Sequence, residues 1–480
     1  MTSSLLSPRE ISDERRTRRR DMVALASSAL LLRCGLVAWA ASRIVPAEDG
    51  KYYHVVASRI ARGLGYTWLW PDGAVTYAAH YPVGYPALLG GLYALFGPRP
   101  WLGMALNALL GSLAVAGVYR VAASYAGRRG AVIAGALAAA HPTLLFYTPA
   151  LMTEIVSASL LAITAWLALA AAERESGCKT IRVIGLGLLM GLAVLVRPQQ
   201  LVLAPVLGWV AYGAQSVRTR WRQGIVGAIA VTALSVVSCL PWTVRNCERM
   251  GSCMLVSANA GWNLLIGTAE AGNGAWVAVD QAGIPVACRT VFDEAKKDVC
   301  FGDGALARIR EAPVQWLTLM PKKLERTFDD VGTPGWYLHS SNWRVFPESY
   351  KTALGASEVL FERGILLMAL VALLRISGLT PGWRFGLILV ALACACVPWA
   401  WVSVLLFVVA SLSLGLRLLE NVPLLLATAG LGSTAVIHAV FFGGARYAIV
   451  TLPWTIALAA CAVGPRLPAQ RPSRQPFIAS

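Results

Sequence analysis

The fold of this chain is organised around the stretch Pro46-Ala47-Glu48-Asp49-Gly50-Lys51-Tyr52-Tyr53. It lies between two apolar segments, residues 22–45 and 101–125, that are long enough to cross a membrane. Adjacent carboxylates beside a membrane are costly unless they meet water or take part in function. The alternative is structural, because Glu and Asp are also common in the first turn of a helix. Position alone leaves both interpretations open.

The composition is that of a membrane protein. Of the 480 residues, 57% are hydrophobic and only 14% are charged, whereas a soluble domain carries roughly 25% charged residues. Because a span needs about 20 largely apolar residues, the apolar segments suffice for about 12 spans, within a range of roughly 11 to 13. We therefore predict an all-α polytopic membrane protein, with interfacial helices in the first outer loop and a small extracytoplasmic subdomain.

The charge distribution predicts the topology. The 42 basic residues exceed the 25 acidic ones and give a net charge of +17. They lie in short runs between apolar spans, which is the pattern of cytoplasmic loops. This pattern predicts a multi-pass protein of the cell inner membrane, with both termini in the cytoplasm and the loop 46–97 on the extracytoplasmic side. A nucleic-acid partner is not expected, because no basic face with interleaved aromatic residues accompanies these runs.

The same pattern divides the chain into five parts. They are a basic cytoplasmic N-terminus (1–21), an N-terminal transmembrane catalytic module (22–245) with the outer loop 46–97, an extracytoplasmic subdomain (246–358), C-terminal transmembrane helices (359–464) and a cytoplasmic tail (465–480). The subdomain carries 13 acidic and 11 basic residues, so it is nearly neutral. We expect it to be α/β-like or irregular, and we expect the apolar stretch 385–416 to form two short helices broken at Pro398.

The cysteines suggest disulfide bonds in the extracytoplasmic part. Four of the ten cysteines, Cys247, Cys253, Cys288 and Cys300, fall within 246–358. An even number in an oxidising compartment predicts two disulfides. We favour Cys247 with Cys253 and Cys288 with Cys300, although four cysteines allow three connectivities. A zinc site is not expected, because these four contain no C-x-x-C pair.

Ionisable residues are predicted to gather at the outer ends of the spans. They are Glu48, Asp49, Lys51, His80, Glu154, Arg197, Arg245 and Arg446. Carboxylates opposite cations suit a reaction in which a hydroxyl is deprotonated and an anionic group departs. Each residue alone has a structural explanation, such as an arginine that reaches the interface. Eight at one membrane depth favour function, and the absence of Walker and D-x-D motifs disfavours ATP or nucleotide-sugar chemistry.

Several stretches resemble the glycosyltransferase C superfamily, in particular the protein O-mannosyltransferases and the bacterial enzymes similar to lipid A aminoarabinose transferase. The stretches occur in the family's order along the chain. They are 48–52 with 61–66 (the acidic first loop and surface helix), 81–89 (the proline-led second helix), 149–154 (the second acidic motif), 241–246 (the entry to the large loop) and Arg446-Tyr447 (the late R-Y element).

The resemblance implies transfer of a sugar from a polyprenyl-phosphate donor in the membrane lipid to an extracytoplasmic glycan, lipid or protein acceptor, with inversion. It implies that Asp49 is the catalytic base, with Glu48 as its rival, and that Glu154 orients acceptor or sugar. The residues expected to bind substrate are Lys51, Tyr52, His80, Tyr81, Tyr85, Arg197, Arg245 and Arg446. The chain departs from members that carry a lysine just before the Pro82 equivalent, since it has His80-Tyr81 there.

Three alternatives stay open. The first is a metal-dependent transferase in which Glu48, Asp49 and Glu154 hold Mg²⁺ or Mn²⁺ through oxygen ligands. The second is a transporter or flippase for a polyprenyl lipid or a solute, which would want charges at mid-membrane and paired broken helices. The third is a non-catalytic protein with the same fold, which would not need the acidic pair.

Overall fold

The computed structural model describes residues 8–173, 176–212, 217–378 and 382–464, most of them helical. The predicted all-α fold is confirmed, whereas the predicted tail 465–480 lies outside the described residues. The first nine helices are α1 (Pro8–Ala40), α2 (Asp49–Ala61), α3 (Gly84–Phe96), α4 (Pro100–Ala140), α5 (Pro142–Phe146), α6 (Thr153–Ala172), α7 (Ser176–Val196), α8 (Ala204–Tyr212) and α9 (Val217–Met250). A 3-10 helix, Pro198–Leu203, links α7 to α8.

The first outer loop contains the two predicted surface helices, α2 and α3, and a hairpin that was not predicted. Strand β1 (Thr67–Leu69) pairs antiparallel with β2 (Val75–Tyr77). The turn follows from its residues, because Asp72 Oδ1 accepts the backbone N–H of Ala74 at 3.0 Å and Gly73 supplies a φ of 86°. The hairpin shortens the loop and brings His80 and Tyr81 back towards α2.

Helix α4 is 41 residues long and holds two of the predicted spans, 101–125 and 131–147, in part as one bent helix. The bend is at Gly127, whose φ of 66° is outside the helical region and suits glycine. Before the bend α4 packs closely on α6: a Cβ at Gly117 would lie 2.4 Å from the carbonyl oxygen of Ala162. The small residue therefore sets how near the two helices come, as in other membrane helix pairs.

Among the described residues, seven helices are long and apolar enough to cross a membrane. They are Asp13–Ala40, Pro100–Ala140, Thr153–Ala172, Lys179–Val196, Arg220–Met250, Val422–Val440 and Ala445–Ala462. Gly84–Phe96, Trp383–Ala395 and Ala400–Leu412 are shorter apolar helices. The sequence predicted about 12 spans. The prediction counted the two arms of α4 separately, and it also counted 201–212, 360–374 and the two halves of 385–416, none of which is among these seven helices.

The segment 246–358 is helical and irregular rather than α/β-like. Its helices are α10 (Ala260–Gly267), α11 (Glu294–Glu311), α12 (Pro313–Phe328) and α13 (Thr333–Ser341), with 3-10 turns at Glu270–Gly272 and Val286–Cys288. The structure pairs Cys247 with Cys253 and Cys288 with Cys300, the connectivity favoured from the sequence. Glu294 Oε1 accepts the backbone N–H of Ala79 at 2.6 Å, so the segment packs on the first outer loop.

The C-terminal helices are α14 (Glu348–Ser377), α15 (Trp383–Ala395), α16 (Ala400–Leu412), α17 (Leu416–Glu420), α18 (Val422–Val440) and α19 (Leu452–Ala459), with 3-10 helices at Ala445–Thr451 and Ala460–Ala462. The stretch 385–416 forms two helices separated near Pro398, as expected. Asp329 explains the break: its two oxygens accept the N–H groups of Ala400 and Trp401 at 2.8 and 3.0 Å and so cap α16.

Candidate active site

Two carboxylates and two arginines from distant parts of the chain form one connected group. Arg446 Nη1 lies 2.7 Å from Asp49 Oδ2, and Arg446 Nε lies 3.8 Å from Glu154 Oε1. Arg197 Nη2 pairs with the same oxygen of Glu154. We call Asp49, Arg446, Glu154 and Arg197 the ion network. Its charges alternate in sign and sum to zero, so each buried charge has an opposite neighbour.

Each member of the ion network lies where a helical element begins or ends. Asp49 is the first residue of α2, and Glu154 is in the first turn of α6. The partial positive charge of a helix N-terminus favours carboxylates at both places. Arg197 follows α7 directly because Pro198 disfavours a helical conformation at the residue before it. Arg446 lies in the 3-10 helix that follows α18.

Asp49 is held by two side chains. Tyr81 Oη donates to its Oδ1 at 2.8 Å, and Arg446 holds its Oδ2. Burial pushes the pKa of Asp49 upward, but the charge and hydrogen bond of Arg446 and the hydrogen bond of Tyr81 outweigh it, so the pKa lies below the ordinary value. Asp49 is therefore a carboxylate at neutral pH. Its side chain keeps 21% of its surface exposed, so a substrate hydroxyl can reach it.

Glu154 and Arg197 keep bonding capacity that the protein itself does not use. Glu154 is fully buried, and its Oε2 has no hydrogen-bond partner in the structure. Arg197 is 7% exposed; its Nε donates to Thr153 Oγ1 at 3.0 Å, whereas its Nη1 has no hydrogen-bond partner among the described residues. Both unpaired atoms belong to charged groups of one network, which makes this network a candidate binding site.

A narrow cleft borders Arg197. Its walls come from the 3-10 helix after α7, from α18 and from the 3-10 helix that carries Arg446. Besides Arg197, the lining residues are Gln199, Gln200, Leu203, Ser433, Thr434, Ile437, His438, Tyr447, Val450 and Thr451. They combine one cation with amides, hydroxyls and apolar side chains, a mixture that suits a phosphate on an apolar chain.

Tyr447 and His438 support the two arginines, although the sequence analysis assigned neither of them to the site. The imidazole of His438 stacks on the Tyr447 ring with centroids 3.9 Å apart. The guanidinium carbons of Arg446 and Arg197 lie 5.2 and 5.6 Å from the centroid of the same ring, within cation–π distance. The sequence signal for Tyr447 was its place directly after Arg446; His438 stands alone on an apolar helix and gave none.

Two predicted site residues in the first loop stay outside the ion network. Glu48 is exposed and has the backbone angles φ 50° and ψ −132°, which are unusual for a residue other than glycine. Lys51 is exposed on α2 and forms no ion pair among the described residues. Both lie one or two positions from Asp49, but the turn into α2 sends their side chains away from it.

Arg245 lies apart from the ion network and holds backbone instead. Its Nη1 and Nη2 donate to the carbonyl oxygens of Ala78 and Tyr66 at 2.9 and 2.8 Å. Its guanidinium carbon also lies 4.6 Å from the ring centroid of Trp242. The bonds tie the end of α9 to the two sides of the hairpin loop. Arg245 therefore fixes the shape of this loop.

The predicted aromatic residues pack among themselves near Asp49. Tyr52 stacks on Trp68 with centroids 4.8 Å apart, and Tyr85 is fully buried against Tyr53. Burial lowers the pKa of His80 to about 4, against the opposing charge of Asp49. His80 is thus neutral at pH 7. It does not replace the lysine that some members of the glycosyltransferase C superfamily carry nearby.

The three carboxylates considered as metal ligands do not fit a divalent cation as they are arranged. No group of three or more His, Cys, Asp or Glu side chains in the described part of the chain is placed to hold a metal ion. Glu48 is exposed, and the guanidinium groups of Arg446 and Arg197 contact Asp49 Oδ2 and Glu154 Oε1.

A family model described as dolichyl-phosphate-mannose-protein mannosyltransferase (PMT_2) matches residues 80–242. This segment resembles the mannosyltransferase family. The match confirms the resemblance to the glycosyltransferase C superfamily inferred from the sequence motifs. The matched segment contains Tyr81, Glu154 and Arg197, whereas Asp49 and Arg446 lie outside it. None of the curated proteins matches the chain.

Solved structures of membrane enzymes also match the chain at low identity. An oligosaccharyltransferase of Archaeoglobus fulgidus, tethered with an acceptor peptide, matches at 15% identity with a TM-score of 0.47, covering 93% of this chain and 49% of that one. AglB of the same organism, with an inhibitory peptide and a dolichol-phosphate, matches at 17% identity with a TM-score of 0.45, covering 93% and 50%. ArnT of Cupriavidus metallidurans, bound to undecaprenyl phosphate, matches at 16% identity with a TM-score of 0.39, covering 92% and 77%. The chain spans about half the length of the archaeal enzymes.

Proposed function

We propose that this protein is an integral membrane glycosyltransferase that moves a sugar from a polyprenyl-phosphate donor to an acceptor hydroxyl, with inversion. The observation that carries the proposal is the ion network: Asp49 and Glu154 alternate with Arg446 and Arg197, and Glu154 Oε2 and Arg197 Nη1 find no hydrogen-bond partner within the described part of the chain. The family match over 80–242 supports the same reaction class.

In this reaction the acceptor hydroxyl oxygen attacks the anomeric carbon of the donor sugar. Asp49 is the base that takes the hydroxyl proton, because it is ionised at neutral pH and partly exposed. The bond from the anomeric carbon to the phosphate oxygen breaks with its electron pair, and polyprenyl phosphate leaves. Arg197, which lines the cleft, and Arg446 stabilise the charge that develops on the phosphate. Attack opposite the leaving group inverts the anomeric carbon.

The remaining parts of the proposal follow from topology. We propose that the protein lies in the cell inner membrane, with both termini in the cytoplasm and the ion network on the extracytoplasmic side. The donor enters from the membrane lipid, and the acceptor is a glycan, a lipid or a protein. Glu154, through Oε2, orients acceptor or donor sugar. Divalent metal is not part of this proposal, and the experiment below includes a chelator to test that.

The test follows release of polyprenyl phosphate from a panel of polyprenyl-phosphate sugars by wild type and Asp49→Asn in detergent, with and without EDTA. We expect wild-type turnover on at least one donor, unchanged by EDTA, and a loss of about 10²-fold or more in the variant, the scale of general-base catalysis. Asp72→Asn is the matched control, because Asp72 is an exposed carboxylate in the hairpin turn of the same loop.

Three results would change the assignment. Equal turnover by Asp49→Asn and wild type would move the base to Glu48 or Glu154. Loss of wild-type turnover in EDTA would bring back the metal-dependent mechanism. No wild-type turnover on any donor would reject the transferase and favour a transporter or a non-catalytic protein.

A further inference from the structure

Tyr337 connects the segment 246–358 to the candidate active site through one oxygen atom. It lies on α13 and is 1% exposed. Its Oη accepts the backbone N–H of Ala47 at 3.2 Å and the backbone N–H of Leu151 at 3.3 Å. These two residues are more than 100 positions apart in the chain. The tyrosine therefore joins two loops that are distant in sequence.

The two loops are those that end in the carboxylates of the ion network. Ala47 precedes Asp49 by two residues, and Leu151 precedes Glu154 by three. Each N–H lies just before its helix starts, where the backbone is outside the regular hydrogen-bond ladder and can shift most easily. One acceptor atom shared by both loops therefore fixes where Asp49 lies relative to Glu154.

The surroundings leave little room for this oxygen to move. A Cβ at Gly50 would lie 2.5 Å from Tyr337 Oη and 3.0 Å from the carbonyl oxygen of Leu151. Glycine is therefore the residue that lets the first turn of α2 approach both the tyrosine and the second loop. Neighbouring bonds on α13 hold the same connection, since Ser341 Oγ accepts the N–H of Val45 at 2.8 Å.

We propose that Tyr337 is a positioning residue that sets the spacing of Asp49 and Glu154, so that the segment 246–358 completes the active site. The role rests on the proposed glycosyltransferase function. Tyr337 does not touch the reacting atoms; it acts through the backbone of Ala47 and Leu151. Because a misplacement of about 1 Å can cost up to roughly 10²-fold in rate, the loss of one shared acceptor is visible in catalysis.

The first experiment compares Tyr337→Phe with wild type and with Tyr350→Phe. Tyr350 is a matched control because it is 59% exposed on α14 and also packs beside an aromatic ring. We expect Tyr337→Phe to lower kcat on the order of tenfold while the donor KM and the affinity for polyprenyl phosphate stay within about twofold, because Arg197 and its cleft are unchanged. A merely structural role would instead reduce the folded fraction and leave kcat per folded molecule unchanged, and this result would overturn the proposal.

The second experiment uses Gly50→Ala. The added methyl group would lie too close to Tyr337 Oη, on the side of α2. We expect it to lower kcat as Tyr337→Phe does. In the double variant the hydroxyl that the new methyl group meets is gone, so the two losses should combine to less than their product. Losses that multiply fully would show that Gly50 and the Tyr337 hydroxyl act separately, against the proposal.

Backbone amide exchange tests the contact without any turnover. In Tyr337→Phe we expect faster hydrogen exchange in the peptides that contain Ala47 and Leu151, and unchanged exchange in Tyr350→Phe. If wild type turns over no donor, the proposed function fails, and this measurement still decides whether Tyr337 holds the two loops. Unchanged exchange at both loops in Tyr337→Phe would overturn the proposal by itself.

Discussion

Arg197 and Arg245 were both expected to bind substrate, yet their surroundings differ. Arg197 is 7% exposed, lines a cleft and pairs with Glu154, and its Nη1 has no hydrogen-bond partner in the ranges that the structure describes. Arg245 gives its terminal nitrogens to the carbonyl oxygens of Ala78 and Tyr66 and lies over Trp242. The Arg197 guanidinium can still bind a ligand, whereas the Arg245 guanidinium is hydrogen-bonded to the backbone of the hairpin loop.

The comparison shows that the partner atoms, rather than the residue type, distinguish a binding arginine from a structural one. Backbone carbonyls are fixed by the fold and are not displaced when a phosphate binds. A guanidinium that is hydrogen-bonded to them is therefore not available to the donor. A guanidinium that shares a carboxylate with another arginine and faces a cleft can take a third partner, because its planar fork offers five donors. Substitutions at the two positions should therefore fail in different ways.

The largest effect is expected for Arg197→Lys. The substitution keeps the charge but loses the fork that reaches Glu154, Thr153 and the cleft together. We expect kcat for polyprenyl phosphate release to fall by about 10²-fold, the scale of a lost transition-state donor, with a small change in melting temperature. Initial rates and thermal unfolding in the same detergent measure both. Wild-type rates in this variant would show that Arg197 is structural, like Arg245.

A smaller effect on rate, and a larger one on stability, is expected for Arg245→Lys. A lysine cannot reach both loop carbonyls, so at least one hydrogen bond from a charged donor is lost, at about 1.5–3 kcal/mol. We expect a lower melting temperature and faster proteolysis within 66–81, while kcat falls less than tenfold. Arg249→Lys is the control, since Arg249 lies over the Tyr77 ring in the same region. A loss of donor binding with the loop intact would contradict the structural role.

The smallest effect is expected for Lys51→Ala. Lys51 was among the residues expected to bind substrate, but it is exposed and has no ion-pair partner within the described ranges. An exposed cation interacts weakly through water, so we expect donor KM and kcat to stay within about twofold. Arg62→Ala, another exposed cation just after α2, is the control. A tenfold rise in donor KM for Lys51→Ala alone would place Lys51 with Arg197 as a phosphate ligand.

The sequence located the ion network because each member lies at the end of an apolar segment. Charge runs give the depth of Asp49, Glu154, Arg197 and Arg446 in the membrane, and depth alone was enough to group them. The depth of a residue in the membrane does not indicate which way its side chain faces around the helix bundle. For that reason Arg245 was placed in the same group, although its guanidinium faces the hairpin loop.

Other features needed contacts that no local pattern reveals. Tyr337 meets Ala47 and Leu151 only after α13 folds over both loops. The stack of His438 on Tyr447 joins α18 to the following 3-10 helix. The break near Pro398 and the pairing of neighbouring cysteines were predicted, since proline and short sequence separation act locally.

The two disulfides bear on how the segment 246–358 stays attached. They close loops with sequence separations of 6 and 12, so each constrains only a short piece of the denatured chain. Neither links this segment covalently to α2, α6 or the C-terminal helices. Its position on the helix bundle rests on hydrogen bonds, such as those from the Ala79 N–H to Glu294 Oε1 and from the Gly443 N–H to the Gly274 carbonyl oxygen. Apart from the chain itself, the segment is therefore held on the helices by non-covalent contacts, and reducing the two disulfides removes none of these contacts directly.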